Sequence, residues 1–263
     1  MSHEVVQLTR RRFGETMRRD AWWVPPIGVF VVLSSFLAYA TWAAFQNANF
    51  AFGPYLSPFY SPLFFGDSPH AWFGASPRWL PATSPALLIL PFPAGFRFTC
   101  YYYRGAYYKA FWADPPSCSV GEPRNSYLGE RSLPLVLQNV HRYFLYFAIV
   151  FIGILAYDAW HAYQFADASG GTKFGIGIGS LVLTVNVCLL SGYTLGCHSL
   201  RHLVGGYLDR MAGRPVRRTA YQCVSCLNRG HMNWAWASLF WVAFSDIYVR
   251  LCAMGIWHDV RIL

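Results

Sequence analysis

The chain alternates long apolar stretches with short basic blocks, and that alternation governs what it can fold into. Five stretches, about 21–45, 79–112, 141–165, 175–207 and 232–257, are each long enough to cross roughly 30 Å of hydrocarbon as a helix. Only 13% of the 263 residues are charged while 55% are apolar, which is too apolar for an ordinary soluble domain. No segment outside the stretches can bury a core of its own. The expected fold is an all-α membrane protein, a five-helix transmembrane bundle forming one membrane domain over residues 1–263.

Charge sets the orientation. Arg10, Arg11, Arg12, Arg18 and Arg19 precede the first stretch. Arg104, Lys109, Arg124, Arg131 and Arg142 lie in and beside the loop between the second and third. Arg210, Arg214, Arg217, Arg218 and Arg229 fill the loop between the fourth and fifth. The two remaining loops hold only Arg78 and Lys173. Basic loops stay in the cytoplasm, so the N-terminus is expected inside and the C-terminus outside, in a multi-pass protein of the plasma membrane. The net charge of +9 then serves topology and anionic lipid rather than nucleic acid. The polar leader is too long for a signal peptide.

The second stretch is irregular. Pro81, Pro85, Pro91 and Pro93 crowd its outer half, and each interior proline removes a helical hydrogen bond, so a kink or unwinding is expected. Its inner half, 96–112, is expected to project as an amphipathic surface, and residues 97–131 with 207–230 read as a basic, aromatic docking platform. The aromatic loop 48–78 reads as an outer cap. The fourth stretch, with Gly175, Gly177, Gly179, Ser180, Ser191, Gly192 and Gly196, has the small residues that let helices approach closely in lipid, and is expected at the centre of the bundle. Cys188 and Cys252, inside apolar runs, read as small packing residues. Disulfides are not expected among Cys100, Cys118, Cys197, Cys223 and Cys226, which fall on the reducing side.

Depth singles out a further pattern. Counting about twenty residues inward from each outer helix end reaches Cys100, the neighbourhood of His141, Cys197, and a point within two turns of His231. Four helices thus offer a soft, metal-competent side chain at nearly one depth, as facing helices of a bundle do around a metal site. A haem on two histidines (among His141, His198, His202 and His231) leaves the thiols unused. A [2Fe–2S] cluster on two cysteines and two histidines uses both types, and neutral imidazoles reduce the charge placed near hydrocarbon. The spacing is not the usual Rieske one, so any likeness is in ligand set. Cys223 and Cys226, with His231 beyond, also suggest zinc. Asp246 and Arg250, one turn apart inside the fifth stretch, read as an ion pair or a proton path to a quinone.

Four segments carry a resemblance: FRFTCYYYR (96–104), QNVHRYFLY (138–146), GCHSLRHL (196–203) and HMNWAW (231–236). Together they resemble the single-chain membrane anchor of actinobacterial succinate dehydrogenase, or complex II. The resemblance implies five helices, a flavoprotein and an iron–sulfur subunit docked on the cytoplasmic face, and electron delivery to a quinone. Other complex II anchors carry b haems on transmembrane histidines, whereas the first two stretches here contain none, which favours a cluster over haem b. The ligands are assigned as Cys100, His141, Cys197 and His231. Cys226, His198 and His202 are held as alternates. No residue of this chain is expected to oxidise succinate itself.

Overall fold

The computed structural model describes residues 11–75, 77, 84–124, 135–167, 170–206 and 213–263. Arg10, Arg78, Arg131, Arg210, the start of the second stretch at Trp79 to Thr83 and the end of the fourth at Tyr207 lie outside the described residues. In chain order the elements are α1 (Val24–Gln46), a hairpin of β1 (Ala51–Phe52) and β2 (Tyr55–Leu56), and the helices α2 (Ala86–Ile89), α3 (Pro91–Phe98) and α4 (Tyr101–Tyr107). They continue with α5 (His141–His161), a hairpin of β3 (Gln164–Ala166) and β4 (Thr172–Phe174), α6 (Ile178–Leu195), α7 (His198–Gly205), α8 (Pro215–Arg229) and α9 (His231–Ala253). The fold is mostly helical. It divides into two compact units, one of residues 1–37 with 99–139 and one of 38–98 with 140–263.

Among the described residues three helical segments are long and apolar enough to cross a membrane: Val24–Gln46, Val136–His161 and Ile178–Leu195. α1 starts with Pro25 and Pro26 in its first turn, where amides have no helical partner to lose. It ends at Asn47, whose left-handed backbone (φ 47°) stops the helix. α9 is 23 residues long, about 34 Å at the helical rise, but carries Asp246 and Arg250 in its interior. The proline-rich second stretch is not one helix. It breaks before Pro91 and again at Thr99–Cys100, and its tail loosens into a wider π turn at Tyr108–Trp112.

In the first unit, the N-terminal segment is fastened to residues 117–121. The amides of Gly14 and Gly121 donate to the carbonyls of Gly121 and Glu15, at 3.0 and 2.9 Å. Arg18 reaches the Ser117 hydroxyl and the Cys118 carbonyl. Gly121 is required here, because a Cβ would collide with the carbonyl of Arg12.

In the second unit α6 lies between α5 and α9, while α3 packs on α5 and α8 packs on α6 and α7. The small residues of α6 act as expected. A Cβ on Gly192 would lie 2.6 Å from the Trp234 ring, and one on Gly179 would strike the ring of Tyr55. The cap is well packed: Phe50 stacks on Tyr60 at 4.3 Å, and Tyr60 donates to the carbonyl of Ala43 at 2.8 Å. Tyr55 is buried among Ala159, Ala162, Leu183 and Val249. None of the seven cysteines is disulfide-bonded. Cys252 is buried as a packing residue, but Cys188 is exposed on the outer face of α6, because apolar residues of a membrane helix face lipid as readily as protein.

Candidate functional site

Each of the four assigned ligands stands at the start of a helix. His141 opens α5 and His231 opens α9, while Cys100 and Cys197 immediately precede α4 and α7. Both cysteines have the same extended backbone, with φ −65° and ψ 133° at Cys100 and φ −65° and ψ 140° at Cys197. This corrects the expectation that the fourth stretch, 175–207, forms one continuous helix. The fourth apolar helix stops instead at Leu195. The Gly196 amide still bonds back to Gly192 at 3.0 Å, and Asn228 holds the Gly196 carbonyl at 2.8 Å. A Cβ at Gly196 would lie 2.7 Å from the Gly192 carbonyl, so glycine permits the turn that sets Cys197 apart from α7.

In the second unit two of the assigned ligands meet. His141 Nε2 lies 3.0 Å from Cys197 Sγ, with both side chains buried. The ring of Phe96 lies flat on His141, with centroids 4.6 Å apart and planes at 10°. Tyr193 meets Phe96 edge-on at 5.4 Å and stacks on His231 at 5.0 Å, so His231 joins the same aromatic cluster. Arg97 lies over the Tyr193 ring at 4.6 Å and donates to Ser238 Oγ at 2.8 Å and the Ala235 carbonyl at 3.2 Å. The sequence argument missed Phe96, Arg97 and Tyr193. Tyr193 is one turn before Cys197, and the other two sit at the end of α3, so depth counting could have found them.

Cys100 belongs to the first unit, where it is buried and its carbonyl accepts from the Arg104 amide at 2.8 Å. Among the alternates, His198 and His202 approach each other on α7. Cys223 and Cys226 lie exposed on α8. Among the described residues no three His, Cys, Asp or Glu side chains converge on a metal-sized site.

Toward the other end of α9, the expected Asp246–Arg250 pair is formed, with Arg250 Nε 3.3 Å from Asp246 Oδ2 and both side chains buried. Tyr39 and Ser57 donate their hydroxyls to the same carboxylate. Arg250 also donates to the Ala48 carbonyl at 2.7 Å and lies 5.3 Å from the Trp42 ring. A buried charge pair in low dielectric needs such additional bonds. A cavity of about 1020 Å³ lies beside the far end of α5, lined by His70, Trp72, Tyr157, Asp158 and His161 among others. Asp158 is about 26 Å along the helix from His141, so the cavity is remote from the thiol–imidazole pair.

Residues 24–255 match the family described as actinobacterial succinate dehydrogenase subunit SdhC. The chain is also similar to a chain in the solved structure of the Mycobacterium smegmatis Sdh1 complex in the apo form. The two are 40% identical, with 100% of this chain and 98% of that chain covered, at a TM-score of 0.88. No curated protein sequence matches it.

Proposed function

Because the chain belongs to the actinobacterial succinate dehydrogenase subunit SdhC family, we propose that it links a docked iron–sulfur subunit to membrane quinone by way of a two-cysteine, two-histidine site. The chain is a membrane-anchor subunit of succinate dehydrogenase. The finer reading includes five crossings with the N-terminus inside, a plasma-membrane location, and flavoprotein and iron–sulfur partners on the cytoplasmic face. The basic residues preceding α1 and those on α8 support that orientation.

The observation that carries the redox reading is the buried contact between His141 Nε2 and Cys197 Sγ. A thiol and an imidazole converging among aromatic rings fit the donor chemistry of mixed Cys/His ligation. His141, Cys197 and His231 would hold the group, with Cys100 as the second thiolate on the strength of the sequence argument from depth. A Rieske-like [2Fe–2S] cluster bound there supplies one-electron exchange between a docked donor and quinone.

The chain's own residues do the rest. Phe96 and Tyr193 keep water from the imidazoles, and Arg97, over the Tyr193 ring, sets a cation beside the aromatic cluster that includes His231. Gly196 frees Cys197 from helical direction. Asp246, with the Tyr39 hydroxyl and Arg250 around it, is the polar group inside the membrane that a proton path to quinone would use.

The test is the spectrum of the purified, reduced complex. A rhombic EPR signal of low average g is the expected result. A Soret band without that signal selects haem b, and silence in both overturns the internal redox centre while leaving membership of the family intact. Orientation is tested separately: cysteines placed in the 48–75 loop should label from outside only, and labelling from the cytoplasm alone would reverse it.

A further inference from the structure

A second pair of imidazoles follows the thiol–imidazole contact along the chain. His198 and His202 stand one turn apart on α7, and both are exposed. Their Nε2 atoms are 2.9 Å apart, and the rings meet edge to face at 77° with centroids at 4.4 Å. A spacing of four projects two side chains from one helical face, the arrangement that helical two-histidine zinc motifs use.

The separation of the nitrogens narrows the choice of ion. An ion bonded at about 2.05 Å to both would subtend an angle of about 90°. That is the cis angle of tetragonal or octahedral sites, and it is tighter than the roughly 109° of tetrahedral zinc. Exposure lets water fill the remaining positions. Arg201, on the same helix, is engaged with α8: its Nε donates to Ser225 Oγ at 3.1 Å and its guanidinium lies 5.2 Å from the Tyr221 ring. The helix N-terminus opposes a cation, which keeps the affinity moderate.

We propose that His198 and His202 form a two-imidazole chelate for a divalent transition-metal ion of the copper or nickel type, independent of any centre at Cys197. The competing reading is a plain hydrogen bond between two imidazoles. Untagged complex is titrated with Ni²⁺ by equilibrium dialysis at pH 7.5. The expected result is one saturable ion per chain, with His198→Asn and His202→Asn each weakening binding about 10²-fold as the chelate gain is lost. Cu²⁺ should bind more tightly than Ni²⁺, and Zn²⁺ more weakly than either.

In the wild-type complex, Ni²⁺ should shield His198 and His202 from diethylpyrocarbonate while leaving His70 and His161 reactive. This footprint decides the matter alone if a variant fails to assemble. Unchanged Ni²⁺ binding in both variants overturns the proposal, as does labelling of the pair that Ni²⁺ does not alter. So does a pair that cannot be labelled at all. Zinc binding tighter than nickel overturns the choice of ion.

Discussion

The two ends of the helical bundle in the second unit treat their polar side chains differently. At the cap end, two carboxylates are tied into the fold by several donors each. Asp246 accepts from Tyr39, Ser57 and Arg250, and Asp259 accepts from Tyr55 at 2.6 Å, Tyr248 at 2.6 Å and the Gly179 amide at 2.9 Å. At the end where α5 and α9 begin, an imidazole and a thiol meet each other, and the walls around them are aromatic. The first arrangement binds elements together. The second sets a thiol against an imidazole, the donor types that the proposed metal site would use.

Breaking the site end should give the largest functional effect. His141→Ala combined with His231→Ala should abolish quinone reduction while succinate oxidation by an artificial acceptor continues in the purified complex. Cys100→Ala and Cys197→Ala should each remove the low-g EPR signal. A full-strength signal in the Cys100 variant would show that the depth argument chose the wrong thiolate, while the Cys197 variant tests the contact seen in the fold.

Breaking the cap end should cost stability instead. Asp246→Ala leaves Arg250 buried without its carboxylate, a change expected to cost about 3–5 kcal/mol. Thermal melting of the detergent-purified complex should show it. Asp246→Asn keeps hydrogen bonding and should cost less; equal losses would mean that charge is not what matters there. If quinone reduction falls in the Asn variant while melting is unchanged, Asp246 belongs to the proton path as well as to the fold.

The smallest effect concerns Tyr55. Burial, and then its bond to Asp259, push its hydroxyl well above the usual tyrosine range. The neutral form is therefore favoured in the folded state. Its contribution is complete below the unfolded value of about 10 and declines as pH rises beyond that. Tyr55→Phe should cost about 1 kcal/mol at neutral pH, because Asp259 keeps two other donors. It should also flatten part of the alkaline loss of stability, read from melting curves between neutral and alkaline pH. An unchanged alkaline slope would assign the loss to another group.

Much of the architecture follows from local pattern. The apolar runs that became α1, α5 and α6 announce themselves by length. The prolines that break the second stretch act through a missing amide, and Gly179 and Gly192 act through a missing Cβ. The pair Asp246–Arg250 was legible because four residues make one helical turn and an isolated charge in hydrocarbon demands a partner. Family membership was legible too, in the short segments around Cys100, His141, Cys197 and His231.

The sequence by itself therefore determined a helical membrane anchor, its small-residue central helix and the residue types offered for a metal site. Only the tertiary structure decided how those residues are presented. Depth counting treats helices as continuous, whereas Gly196 and the Asn228 bond end α6 early and leave Cys197 extended, facing His141 across a turn rather than along a helix. The walls of Phe96, Tyr193 and Arg97, and the cap residues that close on Asp246, come from segments far apart in the chain. Such contacts depend on which faces of distant helices meet, and no periodicity within one segment encodes that choice.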